Sequence, residues 1–196
     1  DGKVERVYLK KDGLPTDELR AMARDSRGRL WVGGRAGRIG YLEEGRFTIL
    51  DSFDSLIWDI LSDSEGTVWV ATQRGLFAKR ENSDEFRPVQ PETLGTYSTT
   101  AVFEDRQGNI WVGTEEAGLF RIRDKKKRIT PDDKAYFTNI AAIFEDNEGS
   151  VWVGTRGAGL FRFREGKFMT IGGPGVFRNE IIFSVEQTSS ARSRTS

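Results

Sequence analysis

The residues best suited to chemistry in this chain of 196 residues are carboxylates, because the sequence contains no histidine and no cysteine. Those residue types are needed for an imidazole base, a histidine-based zinc site, a Ser-His-Asp triad or a thiolate metal site, so the chain itself supplies none of these. Four carboxylates recur in one setting, an Asp-x-x-Gly turn, and they are Asp25, Asp63, Asp105 and Asp146. In such a turn Asp caps backbone N–H groups, whereas a calcium loop needs several spaced oxygens. We interpret the four aspartates as turn caps, and we expect no metal site and no cofactor.

A second candidate set combines flat aromatic rings with planar hydrogen-bonding groups, which suits a sugar or another small polar ligand. These residues lie outside the repeated phrases, in segments that differ along the chain. They are Tyr97, Tyr136, Phe137, Asn139, Phe177, Arg178, Asn179, Arg35, Arg74, Glu115 and Arg156. The alternative for each aromatic residue is that it packs between neighbouring structural units instead of facing a ligand.

The elements that must position both sets are four sequence repeats. Each repeated aspartate is followed, six residues later, by a tryptophan in an apolar run, giving Trp31, Trp69, Trp111 and Trp152. A glycine and an apolar pair come next, so that each repeat reads as four short strands, which we name A to D in chain order. Four such strands with their turns take about 40 residues, which is the size of a β-propeller blade.

Two details favour blades over other all-β repeats. Strand B, which carries the tryptophan, is apolar at consecutive positions, as expected for a sheet covered on both faces. Strand A has a small residue four positions before the aspartate (Ala21, Ala101 and Ala142), with Asp59 as the exception. Innermost strands converge on the axis of a propeller, where large side chains would collide. We therefore predict that the repeated tryptophans fill the space between blades.

Antiparallel strands sort the connections onto two ends of a propeller. The A–B and C–D turns share one end. The B–C turns and the links between blades share the other end, which we call the rim. The second candidate set falls on this rim, where the sequence differs from blade to blade. A ligand site is therefore expected there rather than at the repeated aspartates.

The repeated phrase resembles a known family. Asp-x-x-Gly-x-[Ile/Leu/Val]-Trp-Val-Gly-Thr followed by Gly-Leu-Phe-Arg is similar to the two-component regulator propeller repeat, and "DGLPTDEL" at 12–19 resembles its lead-in. The first two repeats depart from the pattern, with Gly34 in place of Thr and Ala71 in place of Gly. The resemblance implies a seven-bladed ring in the extracytoplasmic sensor part of a bacterial hybrid histidine kinase or related receptor, and hence a periplasmic location.

We predict an all-β partial β-propeller over residues 1–188, followed by an irregular tail at 189–196. Full blades are expected at about 17–50, 55–94, 97–134 and 138–175, with flanking strands of other blades at 2–10 and 180–187. The expected partners are the remaining blades of the ring and downstream signalling domains. An open ring exposes a blade face and strand edges, which predicts self-association of the chain.

The charge balance limits the function classes. Thirty basic and thirty acidic residues cancel, and no apolar stretch approaches the roughly 20 residues of a membrane span. We therefore expect no nucleic-acid binding and no direct membrane contact. The sequence favours a non-enzymatic segment that senses a small polar or oligosaccharide ligand. A protein-interaction scaffold is the first alternative, and a carbohydrate-active hydrolase or lyase using carboxylates or tyrosine is the second.

Overall fold

The computed structural model describes residues 6–89, 94, 96–122, 127–129 and 137–171 of the chain. Within these ranges, the regular structure consists of one short 3-10 helix, Lys10–Asp12, and sixteen β-strands. The strands form four antiparallel sheets of four strands each, and the strand order within every sheet follows the chain.

The four sheets correspond to the four sequence repeats. Blade 1 contains β1 (Leu19–Arg24), β2 (Leu30–Gly34), β3 (Arg38–Glu43) and β4 (Arg46–Ser52). Blade 2 contains β5 (Ile57–Ser62), β6 (Val68–Thr72), β7 (Gly75–Lys79) and β8 (Arg87–Pro88). Blade 3 contains β9 (Thr99–Glu104), β10 (Ile110–Thr114), β11 (Leu119–Arg121) and β12 (Lys127–Ile129). Blade 4 contains β13 (Ile140–Glu145), β14 (Val151–Thr155), β15 (Leu160–Arg164) and β16 (Lys167–Ile171).

The first strands of successive blades lie side by side. Strand β1 contacts β5, β5 contacts β9, and β9 contacts β13. This arrangement places strand A innermost and radiates the other three strands outward, as in a propeller. The predicted all-β propeller with four blades is confirmed, while the total of seven blades stays a prediction.

The hydrophobic core lies between blades. One cluster joins blades 1 and 2 around Trp31 and Phe86, a second joins blades 2 and 3, and a third joins blades 3 and 4 around Trp111 and Phe161. Trp31 and Trp111 are almost fully buried, whereas Trp69 and Trp152 are partly exposed. The consecutive apolar residues of strand B therefore have a physical cause in blades 2 and 3, because each of these two sheets packs against a described neighbour on both faces.

The departure at Ala71 follows from the neighbouring blade. In blade 3 the equivalent residue is Gly113, where an added Cβ would lie 2.5 Å from a side-chain carbon of Ile140 in the next blade. Blade 2 packs against strand A of blade 3, where Thr99 occupies the position that Ile140 occupies in blade 4. Thr is smaller than Ile, so an Ala is accommodated at that position.

The predicted flanking strands are not seen among the described residues. Residues 6–9 are not in a strand and Lys10 begins the 3-10 helix. The prediction of a strand at 2–10 is therefore wrong for residues 6–10. The physical reason is pairing: the ring of Tyr8 lies 5.3 Å from that of Phe47 in β4, but no described strand forms a backbone ladder with this segment. The strand predicted at 180–187 and the tail at 189–196 lie outside the described residues. None of the helical residues described forms a segment long and apolar enough to cross a membrane.

Candidate functional site

The A–B turns at one end of the propeller are built in the same way in every described blade. In blade 3, Oδ1 of Asp105 accepts hydrogen bonds from the amides of Gln107 and Asn109, at 3.0 and 2.8 Å. Asp25, Asp63 and Asp146 accept bonds from the corresponding amides of their own turns. Each aspartate thus caps its turn, as a carboxylate in an Asp-x-x-Gly sequence does.

The other carboxylate oxygen of each aspartate binds the repeated tryptophan. The indole Nε1–H groups of Trp31, Trp69, Trp111 and Trp152 donate to Oδ2 of the aspartate six residues earlier, at 2.7 to 2.8 Å. The spacing of six residues is visible in the sequence, but the bond itself is known only from the structure. The bond gives each large ring a partner for its polar atom while the rest of the ring packs between blades.

The capping bonds also affect the ionisation of two of these carboxylates, Asp25 and Asp146. Burial by itself raises the pKa of Asp25, but the hydrogen bonds from Trp31 and Arg29 and the Arg29 charge lower it by more, so the pKa lies below its ordinary value. The pKa of Asp146 is lowered in the same way, with burial opposing the bonds from Trp152 and the turn amides. Asp25 and Asp146 are therefore ionised acceptors at neutral pH. Within the described ranges, no three Asp or Glu side chains are grouped closely enough to hold a metal ion.

The rim at the opposite end is closed by bonds between each B–C turn and the link that precedes its blade. The amides of Arg35, Gln73, Glu115 and Arg156 donate to the carbonyls of Glu18, Leu56, Ser98 and Asn139. Gly34 replaces the usual Thr in blade 1 because an added Cβ would lie 2.0 Å from the carbonyl oxygen of Glu18. The rim thus keeps one backbone plan and varies only its side chains.

Four of the predicted rim residues are exposed. Tyr97 is 41% exposed, and Arg74 and Glu115 also face solvent. Arg35 is exposed and lies 3.4 Å from the carboxylate of Glu18, an ion pair in solvent that contributes little stability. These side chains are available to a ligand.

Phe137 is not available, which corrects the expectation from sequence. Only 3% of its surface is exposed, and its ring packs edge-on against Phe161 and Phe168 at 4.9 Å between centroids. The link before blade 4 directs this ring into the core between blades 3 and 4, so packing replaces ligand contact. Asn139 is partly buried and has a positive φ of 56°, with its backbone bonded to Glu115 and Arg156. Tyr136, Phe177, Arg178 and Asn179 lie outside the described residues.

The structure adds two rim residues that sequence analysis missed, Arg20 and Trp58. The guanidinium carbon of Arg20 lies 5.4 Å from the centre of the Trp58 ring. The guanidinium of Arg156, which was predicted as a rim residue, lies 4.9 Å from the same ring. The indole of Trp58 in blade 2 therefore contacts arginine side chains from blades 1 and 4. The available signal was that Trp58 is the one tryptophan of five that does not follow a repeated aspartate by six residues.

Next to Trp58, the carboxylate of Asp59 links two blades. Its oxygens accept hydrogen bonds from the amides of Val102 in β9 and Ile60 in its own strand, both at 2.9 Å. Burial raises the pKa of the Asp59 carboxyl to about 6, against an ordinary value of 3.8, although both amide bonds act in the opposite direction. The other three repeats have alanine at this position, four residues before the capping aspartate. Asp59 is therefore the one ionisable residue there, and it changes its charge near neutral pH.

Unused hydrogen-bonding atoms are concentrated near the rim. Among the described residues, the buried side-chain atoms without a hydrogen-bond partner are Ser55 Oγ, Trp58 Nε1, Ser98 Oγ, Asn139 Oδ1 and Ser150 Oγ. The first four belong to links between blades or to the start of strand A, and Ser150 alone belongs to an A–B turn. Buried polar atoms are normally paired, so an unpaired group of them calls for water or a ligand.

Two cavities lie away from the rim. One of about 670 Å³ is lined by residues of blades 3 and 4, including Asp105, Trp111 and Phe163. The other, of about 750 Å³, is lined by the corresponding residues of blades 2 and 3, including Asp63 and Trp69. Both open beside the A–B and C–D turns, where the carboxylates and indoles already bind each other.

The sequence matches the family model described as two component regulator propeller. The matches cover residues 13–36, 52–74, 93–116 and 137–157. Each match runs from the link before a blade to its B–C turn, so it contains the capping aspartate and the bonded tryptophan. No curated protein sequence matches the chain.

Solved structures share the fold. An extracellular domain described as part of a hybrid two component system from B. thetaiotaomicron is 25% identical, with a TM-score of 0.66 over 78% of this chain and 22% of that one. Virginiamycin B lyase from Staphylococcus aureus is 16% identical, with a TM-score of 0.68 over 81% of this chain and 57% of that one. An extracellular domain of a one component system from B. thetaiotaomicron is 22% identical, with a TM-score of 0.61 over 79% and 25% of the two chains.

The chain thus spans less than two thirds of each of these structures. At 16% and 22% identity, the lyase and the one component system show similarity of fold alone. The family model is more specific, because it matches each of the four blades in register with the observed strands. The chain belongs to the two component regulator propeller family.

Proposed function

We propose that this chain is the ligand-sensing propeller segment of a bacterial two-component-type signalling receptor. The segment lies outside the cytoplasm, binds a small polar or oligosaccharide ligand at the rim, and passes the binding event to downstream signalling domains. The family membership supports a signalling propeller, as does the similarity to the extracellular domain of a hybrid two component system. The remaining blades of the ring are further partners in this proposal.

The observation that carries the proposal is the contrast in hydrogen bonding between the two ends. Four of the five unpaired buried polar atoms among the described residues belong to the links between blades or to the start of strand A, near the rim, which also carries exposed aromatic and charged side chains. Atoms of this kind can gain a hydrogen bond when a polar ligand arrives, directly or through a bridging water, and each such bond adds to the affinity. Sugar rings carry many hydroxyl groups, which supply both donors and acceptors to such a surface.

A non-enzymatic role fits the same observations. The raised pKa of Asp59 comes from burial against the backbone of blade 3, a structural position. The similarity to the lyase extends to the fold only, so it transfers no activity to this chain.

The test is the signalling output of the full-length protein carrying this chain, measured against a panel of neutral and acidic oligosaccharides, with calorimetric binding in parallel. Arg74→Ala changes an exposed rim residue of blade 2, and Arg80→Ala is the matched control, since it removes the same exposed side chain beyond the other end of the strand β7. We expect Arg74→Ala to weaken binding and output together, with Arg80→Ala unchanged. Equal behaviour of the two variants, or a panel without any response, would overturn the proposal.

A further inference from the structure

The position five residues before each capping aspartate differs in every blade and is occupied by Arg20, Trp58, Thr100 and Ala141. In every described blade, the pairing of strands A and B shifts register around this position. A β-bulge of this kind re-aims a side chain and is common beside functional sites. The four inner strands therefore use one backbone irregularity to present four different side chains near the rim.

At two of the four bulges the side chain is large and able to bind a ligand. Arg20 and Trp58 contact each other between blades 1 and 2, and Arg156 reaches the same indole from the B–C turn of blade 4. A guanidinium that lies over a ring leaves its N–H donors free in its own plane, where they can bind a carboxylate or phosphate-like group in a fork. Two such donors share one aromatic platform here.

The charge of this cluster is uncompensated among the described residues. Neither Arg20 nor Arg156 forms an ion pair with a described carboxylate, whereas the nearby Arg35 is paired with Glu18. The third polar group of the cluster, Trp58 Nε1, is buried and without a hydrogen-bond partner. Guanidinium and indole groups are donors only, so the cluster offers donors and positive charge and no acceptor.

We propose that the Arg20–Trp58–Arg156 cluster is a binding site for the acidic group of a saccharide, a carboxylate or a sulfate ester, with the indole contacting the sugar ring. This inference rests on the proposed function, because it names the ligand class of the same rim. A negatively charged group matches two unpaired guanidinium groups through short, charge-assisted bonds. Because the cluster draws on blades 1, 2 and 4, one bound anion also connects three blades.

The binding test uses three matched disaccharides with the full-length protein: one ending in glucuronate, its carboxyl-reduced neutral counterpart, and a sulfated neutral form. We expect an acidic disaccharide to bind about tenfold or more tightly than the neutral one, with an affinity that falls as salt rises. The glucuronate and sulfate arms distinguish the two sources of negative charge. Arg20→Gln and Arg156→Gln should each weaken acidic binding about tenfold and leave neutral binding unchanged. Arg162→Gln is the matched control, since Arg162 lies 5.7 Å from the Trp152 ring in blade 4, away from the cluster.

The outcomes separate the inference from the proposed function. Equal affinity for acidic and neutral disaccharides, untouched by either rim arginine, overturns the acidic site and leaves oligosaccharide sensing in place. If none of the three disaccharides binds and the signalling output does not change across the wider panel, both the acidic site and the proposed oligosaccharide sensing are overturned.

A second measurement needs no saccharide. Fluorescence of Trp58, taken as the difference between the wild type and Trp58→Phe, should show a higher ratio of iodide to caesium quenching than free N-acetyltryptophanamide does, because two guanidinium groups attract the anion. Arg20→Gln combined with Arg156→Gln should return this ratio towards that of the free indole. A wild-type ratio no higher than that of the free indole would contradict the electropositive site even if the variants fold poorly.

Discussion

The two ends of this propeller follow opposite rules. At the A–B turns each repeated aspartate accepts bonds from two turn amides and one indole, so both carboxylate oxygens are paired and the residues repeat. Near the rim the backbone plan also repeats, but the side chains differ, and Trp58, Ser98 and Asn139 each keep an unused polar atom. The comparison indicates that repetition marks the residues that hold the fold, and that variation over a fixed backbone marks the surface free to acquire a ligand.

The largest expected effect comes from the repeated end. Trp111→Ala deletes a ring that is 1% exposed and packed between blades 3 and 4, so it should lower the free energy of unfolding by roughly 3–5 kcal/mol. Trp58→Ala at the rim should cost less than half as much, because Trp58 is partly exposed. Urea unfolding of the full-length protein, followed by circular dichroism, measures both. If Trp58→Ala loses more unfolding free energy than Trp111→Ala, the rim tryptophan is the more important for the fold, and the contrast between the two ends is wrong.

The next effect isolates the bond between aspartate and indole. The carboxylate of Asp105 accepts hydrogen bonds from two turn amides on one oxygen and from Trp111 Nε1 on the other. Asp105→Asn keeps the size of the side chain but replaces one of these two acceptor oxygens with an NH₂ donor. At least one donor loses its acceptor, so the variant should lose roughly 1–3 kcal/mol of stability. Asp51→Asn, in an exposed part of β4 where the side chain bonds only the next amide, is the control. If Asp105→Asn is as stable as this control, the caps contribute nothing beyond the turn itself.

A pH titration should distinguish the two ends by sign. Asp59 has a pKa raised by burial to about 6, so its folded form holds a proton more tightly than the unfolded chain does. Its contribution is favourable below about pH 4 and is lost as the pH rises through 6, by roughly 1–3 kcal/mol. Asp25 and Asp146 have lowered pKa values, so their contribution is present at neutral pH and lost on acidification.

The measurement is the difference in unfolding free energy between the wild type and Asp59→Asn at pH 4 and pH 7. The wild type should lose stability relative to the variant over this interval, because Asn carries no charge into the buried site. A constant difference, or one of opposite sign, would show that the Asp59 carboxylate is as well solvated in the folded protein as in the unfolded chain.

The sequence predicts the repeated end much better than the rim. Similar phrases around Asp63 and Asp105 reveal the turn and its tryptophan, because each depends on residues within about ten positions, and the spacing of the phrases reveals the blade length. The cluster at Trp58 depends on Arg20 and Arg156, which are 38 and 98 positions away from it, and no local pattern connects them. The bulge that presents Trp58 leaves no mark in residue type either, since Arg, Trp, Thr and Ala occupy it.

The error at Phe137 has the same origin. A residue in a link between blades can face a ligand or pack against the next blade, and an aromatic side chain is suited to both roles. Tyr97 and Phe137 looked equivalent, yet Tyr97 is exposed while Phe137 fills the space between blades 3 and 4. The direction of a link side chain is set by the tertiary packing of its neighbours, which the sequence of the link does not contain.

The smallest expected effect tests this distinction within the rim itself. Tyr97→Ala removes a ring that is 41% exposed and belongs to none of the three core clusters, so its stability should change by no more than about 0.5 kcal/mol. Phe137→Ala removes a ring of similar size that packs against Phe161 and Phe168, and it should cost roughly 3–5 kcal/mol. Chemical denaturation of the two variants in the full-length protein gives the stabilities, and calorimetry with the glucuronate disaccharide gives the binding. We expect Tyr97→Ala to weaken binding without unfolding the protein. If Tyr97→Ala instead destabilises the propeller as much as Phe137→Ala does, both links are packing elements and the ligand surface is confined to the Arg20–Trp58–Arg156 cluster.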